Sequence, residues 1–153
     1  DVAAQKHHGT IKVGKRPRGI AFTPDGKFAY VACEVASTVF AIDVATHSVL
    51  ASIPAGKRSN GVEMHPNGKE VFISNGKDNT VSAIDIATNK ITATIKVGKR
   101  PWNMAMTPDG SKLYVANGRS GTVSVIDTAS KKKINDVKVG KFPWGVLIPD
   151  AGS

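Results

Sequence analysis

The stretch PWNMAMTPDGSKLYVANGRSGTVSVIDTASKKKINDVKV, residues 101–139, decides the fold. It contains four apolar or β-branched segments, at residues 102–107, 112–117, 122–127 and 133–139, and turn residues separate them. The first turn, at residues 108–110, reads Pro-Asp-Gly, in which Pro fixes φ, Asp bonds its own backbone and Gly tolerates positive φ. Helical i, i+3, i+4 spacing is absent. The stretch therefore predicts a four-stranded antiparallel sheet.

The same pattern recurs with a step of 42 residues along the chain. The step links four sets of positions: Gly14, Gly56, Gly98 and Gly140; Asp1, Asp43, Asp85 and Asp127; Pro24, Pro66 and Pro108; and Thr38-Val39, Thr80-Val81 and Thr122-Val123. Complete repeats span residues 14–55, 56–97 and 98–139, with partial repeats at 1–13 and 140–153. Four strands in each repeat of about 40–45 residues are typical of a β-propeller blade. We therefore predict an all-β propeller segment, residues 1–153, with three complete blades and partial flanking strands.

The third strand of each repeat supports this choice of architecture. In the last complete repeat Val123 and Val125 point to one face, while Ser124 and Ile126 point to the other. Both faces thus carry small or apolar residues, as expected when each sheet is covered by neighbouring sheets. A β-sandwich would show one polar face. A solenoid of the same period remains the structural alternative.

The ends of the chain fall inside repeats. Asp1 aligns with Asp43 at the end of a third strand, and residues 143–148 align with a first strand. Three blades cannot close a ring, because closed propellers have about four to eight blades. We therefore expect the chain to belong to a larger ring of about seven blades. Residues 143–148 are then expected to complete a blade whose other strands come from a preceding part of the protein.

The strand YVAN at residues 114–117, with Gly118 after it and TVSVID at residues 122–127, resembles the YVTN-type β-propeller repeat. The resemblance covers nearly the whole chain, although Cys33 stands where the repeat usually has Asn. It implies an exported bacterial or archaeal protein, periplasmic or extracellular, similar to surface-layer-like proteins or to propellers of quinone-linked pathways. Haem d1 domains and some lactonases have related architectures. The repeat motifs themselves do not specify a function.

Basic residues are concentrated in the turns between repeats. The chain has 21 Lys and Arg, 12 Asp and Glu, and a formal net charge of +9. Seven of these basic residues lie at equivalent turn positions: Lys15, Arg16, Lys57, Arg58, Lys99, Arg100 and Lys141. In a propeller these turns gather around one mouth of the channel, where like charges favour a bound anion. Arg can also hold a carboxylate or phosphate with two parallel bonds. The alternative is a solvated turn motif copied by duplication.

Further candidate binding residues lie near these turns. One position after each turn come Arg18, Asn60, Trp102 and Trp144, which differ between repeats and thus suit an asymmetric ligand. The two tryptophans are expected either to stack on a flat cofactor or to pack between blades. Asn75 and Asn117 end second strands on the same rim, where each either contacts a ligand or caps its turn.

No catalytic constellation is visible in the sequence. His7 and His8 would point to opposite faces of a strand, and the single cysteine allows no intrachain disulfide. The preferred hypothesis is a non-catalytic binding or scaffold propeller whose basic rim receives an anionic ligand or a protein partner. The alternative is part of a propeller enzyme, a haem- or metal-dependent oxidoreductase or a lactonase, whose site lies partly outside this chain. Nucleic-acid binding rests on net charge alone, and the sequence specifies no cofactor.

Overall fold

The computed structural model describes residues 3–149, in which three four-stranded antiparallel sheets follow one another along the chain. The first blade contains β1 (Pro17–Phe22), β2 (Phe28–Cys33), β3 (Thr38–Asp43) and β4 (Ser48–Ile53). The second contains β5 (Ser59–Met64), β6 (Glu70–Asn75), β7 (Thr80–Asp85) and β8 (Lys90–Lys96). The third contains β9 (Pro101–Met106), β10 (Lys112–Asn117), β11 (Thr122–Asp127) and β12 (Lys132–Lys138). Strand order equals sequence order in every sheet, which confirms the predicted blades.

The three blades are arranged radially. The first strands of neighbouring blades, β1, β5 and β9, lie side by side, whereas the fourth strands diverge towards the perimeter. First strands therefore form the inner edge of the arc, as in a propeller. Residues 3–149 form no helix that is long and apolar enough to cross a membrane.

The hydrophobic core lies between the blades. Tyr30 and Val39 of the first blade pack with Val71 and Ile73 of the second in one buried cluster. A second cluster joins the opposite face of the second blade to the third, and includes Phe72. Because neighbouring residues of a strand point to opposite faces, β6 contributes to both clusters. This confirms the expectation for the second blade, both faces of which are buried by its neighbours.

The segments that flank the three blades form no strands. The partial repeats at residues 1–13 and 140–153 were predicted to contribute flanking strands, the second at residues 143–148, and neither forms a strand within the described part of the chain. A strand needs a ladder partner, and the partners expected for these segments are not among the twelve strands, so both strands stay predictions; Asn103 of β9 donates a backbone bond of 3.3 Å to the Trp144 carbonyl. Instead Ile11 and Val13 pack on the exposed face of the first blade.

The repeated aspartates stabilise the turn after each third strand. Oδ1 of Asp43 accepts hydrogen bonds from the backbone and the hydroxyl of Thr46, at 2.7 and 2.9 Å. Asp85 accepts the same two bonds from Thr88, and Asp127 accepts them from Ser130. These bonds hold the pKa of all three carboxyls below its ordinary value. Asp1, the fourth member of the set, lies outside the described residues.

The turn between first and second strands uses the same chemistry in two of the three blades. Asp109 accepts bonds from the hydroxyl of Thr107 and from the backbone and hydroxyl of Ser111. The bond from Thr107, with those from Ser111, lowers the pKa of Asp109 to about 2. Asp25 makes the equivalent turn in the first blade, whereas the second blade has Asn67.

These turns predict a loss of stability in acid. The pKa of Asp109 is about 2 in the folded chain and ordinarily 3.8. A lowered folded pKa means that the carboxylate stabilises the fold above about pH 4, and that this contribution disappears as the pH falls towards 2. We expect the urea unfolding midpoint to fall across that interval, less steeply in D109N and more steeply in N67D. Parallel pH profiles for both variants and the wild type would contradict this account.

Candidate functional site

The turns that enter each blade are bonded to the loop after the second strand of the same blade. In each case an arginine carbonyl accepts a backbone N–H bond of 2.9 Å: Glu34 donates to Arg16, Gly76 to Arg58, and Gly118 to Arg100. The three arginines share a left-handed backbone conformation, with φ of 61°, 61° and 58°. The repeat therefore gives these arginines one backbone geometry at one mouth of the channel.

Four arginine side chains converge on one carboxylate, that of Glu34. Arg18 Nε lies 2.9 Å from Oε2 and Arg16 Nε lies 3.2 Å from the same oxygen. On Oε1, Arg58 Nη1 lies at 3.5 Å and Arg100 Nη2 at 3.6 Å. All three blades thus contribute to one ionic cluster, which we call the arginine cluster and which consists of these four arginines around Glu34.

The arginine cluster is strongly cationic even with its carboxylate included. Four guanidinium groups surround one carboxylate, an excess of three positive charges. The Glu34 side chain is 2% exposed, whereas the arginine side chains are between 27% and 53% exposed. Burial alone would raise the pKa of Glu34, but the bond from Arg18 and the charges of Arg16, Arg18 and Arg58 outweigh burial and lower it. Glu34 is therefore a buried, ionised group below accessible cations.

Sequence analysis missed Glu34, although the repeat carries a signal for it. Gly76 and Gly118 occupy the equivalent positions of the other two blades. At Gly118 an added Cβ would lie 2.8 Å from the ring of Trp102, so a side chain there would displace the indole. Glu34 is thus recognisable in the sequence as a charged residue at a position where the other two described blades have glycine.

A second carboxylate that breaks the repeat lies on an inner strand. Glu63 is on β5, and its equivalents are Ala21 and Ala105. Its Oε1 accepts the backbone N–H of Met106 on the next blade at 3.1 Å. Burial raises the pKa of Glu63, and the bond from Met106 only partly offsets this. Glu63 is therefore a better proton acceptor near neutral pH than Glu34.

The two tryptophans stack on each other. The ring centroids of Trp102 and Trp144 are 4.0 Å apart, with an angle of 27° between the planes. The guanidinium carbon of Arg100 lies 6.0 Å from the Trp102 ring centre, and Trp144 is 62% exposed. The stack joins the third blade to the segment that follows it and places an aromatic surface beside the arginine cluster, and stacking on a flat cofactor stays a prediction.

The remaining turn residues separate by type. Lys15, Lys57, Lys99 and Lys141 have exposed side chains and, within residues 3–149, are not among the ion-pair partners of Glu34. Arg18 joins the arginine cluster, whereas its equivalent Asn60 makes a backbone contact. The Asn60 carbonyl would be 2.4 Å from a Cβ at Gly19. Of the predicted basic rim, the arginines therefore meet at one point and the lysines surround it.

The two asparagines of the predicted site lie below the rim surface. Asn75 and Asn117 are fully buried. Nδ2 of Asn75 donates to the hydroxyls of Thr80 and Ser82, and Asn117 makes the equivalent bonds. Each side chain also packs under the turn glycine of its blade, Gly56 or Gly98. Within the described chain both side chains are therefore held inside their blades by hydroxyl groups of β7 and β11, and the two roles proposed for them stay predictions.

One difference between these asparagines has a visible cause. Oδ1 of Asn75 accepts a bond of 3.3 Å from the hydroxyl of Ser59. The residue paired with Asn117 is Pro101, which has no donor, and Oδ1 of Asn117 has no hydrogen-bond partner. A buried acceptor without a partner costs about 1–3 kcal/mol.

Within the described part of the chain, no three His, Cys, Asp or Glu residues are grouped so that they could hold a metal ion. The site at the rim is therefore made of the arginine cluster and an aromatic pair, whereas Glu63 lies towards the other end of β5, opposite Phe72.

The fold and this site define a β-propeller segment with a cationic channel mouth. Residues 2–138 match the family described as Lactonase, 7-bladed beta-propeller, and the chain belongs to that family. The match agrees with the expected ring of about seven blades. It does not extend to the YVTN-type repeat as a family of its own, which stays a resemblance. A comparison with curated proteins finds no significant match.

Solved structures show the same fold. Hydrazine synthase of Kuenenia stuttgartiensis is 24% identical with a TM-score of 0.83, over 92% of this chain and 41% of that one. A candidate 6-phosphogluconolactonase of Bacteroides fragilis is 28% identical with a TM-score of 0.73, over 84% and 40%. A protein of unknown function from Desulfotomaculum acetoxidans is 22% identical with a TM-score of 0.76, over 87% and 45%. The chain therefore spans less than half the length of each.

The unpartnered Asn117 oxygen predicts a stabilising substitution. P101S supplies the hydroxyl that Ser59 supplies in the second blade, which removes a cost of about 1–3 kcal/mol and loses about 0.4–1 kcal/mol of proline rigidity. We expect a net gain of about 0.5–2 kcal/mol in the free energy of unfolding, measured with urea.

The first blade provides a matched control for this substitution. P17S changes the equivalent proline, but Cys33 stands in place of the asparagine, so the variant only loses rigidity. We expect it to be slightly destabilised. A P101S protein that is no more stable than P17S would contradict this interpretation.

Proposed function

We propose that the arginine cluster binds the anionic group of a small ligand at the channel mouth of a lactonase-type propeller enzyme. The observation that carries this proposal is the convergence of Arg16, Arg18, Arg58 and Arg100 on the single carboxylate of Glu34. The excess of three positive charges attracts an anion, and guanidinium groups suit carboxylate and phosphate geometry. Trp144 offers an aromatic surface beside the same site for the rest of the ligand.

Family membership favours a lactone as the ligand class. Opening a lactone ring with water requires a base to accept a proton and cationic groups to stabilise the charge that develops on the carbonyl oxygen. Accessible arginines supply the second requirement. Of the two carboxylates, Glu63 has the raised pKa that suits the first, and it lies five residues beyond Arg58, towards the far end of β5. Phosphorylated sugar lactones combine the two ligand features, and the name of the Bacteroides fragilis relative refers to one.

The enzyme alternative thus takes precedence over the non-catalytic scaffold that the sequence favours. Both share the anionic ligand, and they differ in whether the ligand is consumed. An exported location, periplasmic or extracellular, belongs to this proposal on the strength of the repeat resemblance. A protein partner at the basic rim would use the exposed lysines as well as the arginines.

Binding can be tested by removing charge from the inner and outer sides of the same turns. In the full-length protein, the double variant R58N/R100N removes two arginines of the cluster, and Asn tolerates their left-handed backbone. The control K57Q/K99Q removes two exposed lysines and the same net charge. We expect the affinity for 6-phosphogluconate, measured by titration calorimetry, to fall at least about tenfold in the first variant and about twofold in the second. Equal losses of affinity in the two double variants would contradict the proposal, because they would mean that the ligand responds only to net charge and not to the arginine cluster.

Catalysis is tested separately with Glu63. We expect the full-length protein to hydrolyse 6-phosphogluconolactone, and E63Q to lower kcat at least about tenfold while KM changes little. If Glu63 is the base, the rate should rise as the pH passes its raised pKa, because the carboxylate form accepts the proton. Ligand binding without turnover in the wild type would return the non-catalytic binder as the better description.

A further inference from the structure

We infer that Glu34 is a built-in competitor for the arginine cluster, so that an anionic ligand binds there by replacing the Glu34 carboxylate on Arg58 and Arg100. This inference rests on the proposed function and adds a residue that sets the affinity of the site. It follows from how the four arginine contacts differ in length, from the repeat, and from the charge balance.

The four contacts with Glu34 divide into two kinds. Arg16 and Arg18, from the same blade as Glu34, approach Oε2 at 3.2 and 2.9 Å. Arg58 and Arg100, from the second and third blades, approach Oε1 only at 3.5 and 3.6 Å. The second pair lies at the limit of hydrogen bonding, where the interaction is weak. These two guanidinium groups are therefore the ones that an incoming anion can take over.

The repeat shows that the carboxylate is an addition at a position where the other two described blades carry no side chain. Gly76 and Gly118 stand at the equivalent positions, and Cδ of Arg100 lies 3.6 Å from where a Cβ at Gly76 would be. A glycine at position 34 would leave four guanidinium groups facing each other without an anion. Glu34 relieves this repulsion in the free protein, and a ligand that takes its place must provide the same charge.

Competition has a thermodynamic consequence that can be measured. Removing the negative charge of Glu34 leaves the repulsion between the arginines uncompensated, which lowers the stability of the free protein. An added anion restores that compensation, so it should bind the variant more tightly and recover the lost stability. A residue that merely organised the site would have the opposite effect on affinity.

The experiment uses inorganic phosphate as the probe and the full-length protein in three forms: wild type, E34Q and E70Q. E70Q is the matched control, because Glu70 also forms an ion pair, with Lys131, but does so at the opposite end of its strand from the rim. Phosphate affinity is measured by calorimetry, and Tm is followed against phosphate at constant ionic strength. We expect E34Q to bind phosphate at least about tenfold more tightly than the wild type, with its lowered Tm recovered by phosphate. E70Q should bind as the wild type does.

Two additions make the result decisive. The double variant E34Q/R58N should lose the gained affinity, which locates the phosphate at the arginine cluster. If E34Q does not fold, E34G reproduces the residue that the other blades carry and serves in its place.

The remaining outcomes separate the inference from the proposed function. Equal phosphate affinity in wild type and E34Q, with both weakened by R58N, would overturn the competitor role and leave anion binding standing. Weaker binding by E34Q would overturn it as well, because Glu34 would then organise the site. If R58N weakens phosphate binding in neither background, the anion-binding site itself is wrong and the inference fails with it.

Discussion

Each sheet of this protein must be covered on both faces, and the rest of the structure depends on that constraint. The second and third strands of each blade carry small and apolar residues on both sides, so a single blade cannot bury its own apolar surface. Packing blade against blade forms the cores between them and brings the inner strands together around an axis. The strand edges and turns at the rim are then left for other tasks, because they contribute little to those cores.

The candidate site lies where the repeat is broken. Turn geometry is copied in all three blades and brings Arg16, Arg58 and Arg100 to one mouth of the channel. Duplication alone would produce a ring of mutually repelling cations. Glu34 and Glu63 replace small residues of the other blades, and Trp102 lies over Gly118. One residue that differs from its equivalents in the other blades, Glu34, thus makes the set of repeated arginines asymmetric and gives it a buried carboxylate.

The two carboxylates differ because their surroundings differ. Both are removed from water, which favours the neutral acid. Around Glu34 four guanidinium groups reverse that preference, whereas Glu63 receives one backbone N–H bond and keeps a raised pKa. The ionised Glu34 carboxylate neutralises part of the charge of the arginines, whereas the raised pKa of Glu63 suits a group that accepts a proton.

The sequence by itself determined the blades. A 42-residue step, turn residues such as Asp109 and alternating strands predict β9–β12 to within one residue, because propeller repeats are built from local signals. The basic rim and the structural aspartates were also predictable from register. The flanking strands, at residues 143–148 and within 1–13, stay predictions, because a strand needs a ladder partner and the described chain does not contain theirs. Only the tertiary structure decided that Asn75 and Asn117 are buried, and that Glu34 contacts four arginines but not the lysines of the same turns. The contacts of Glu34 depend on distances between residues in the first, second and third blades, which periodicity along one chain does not encode.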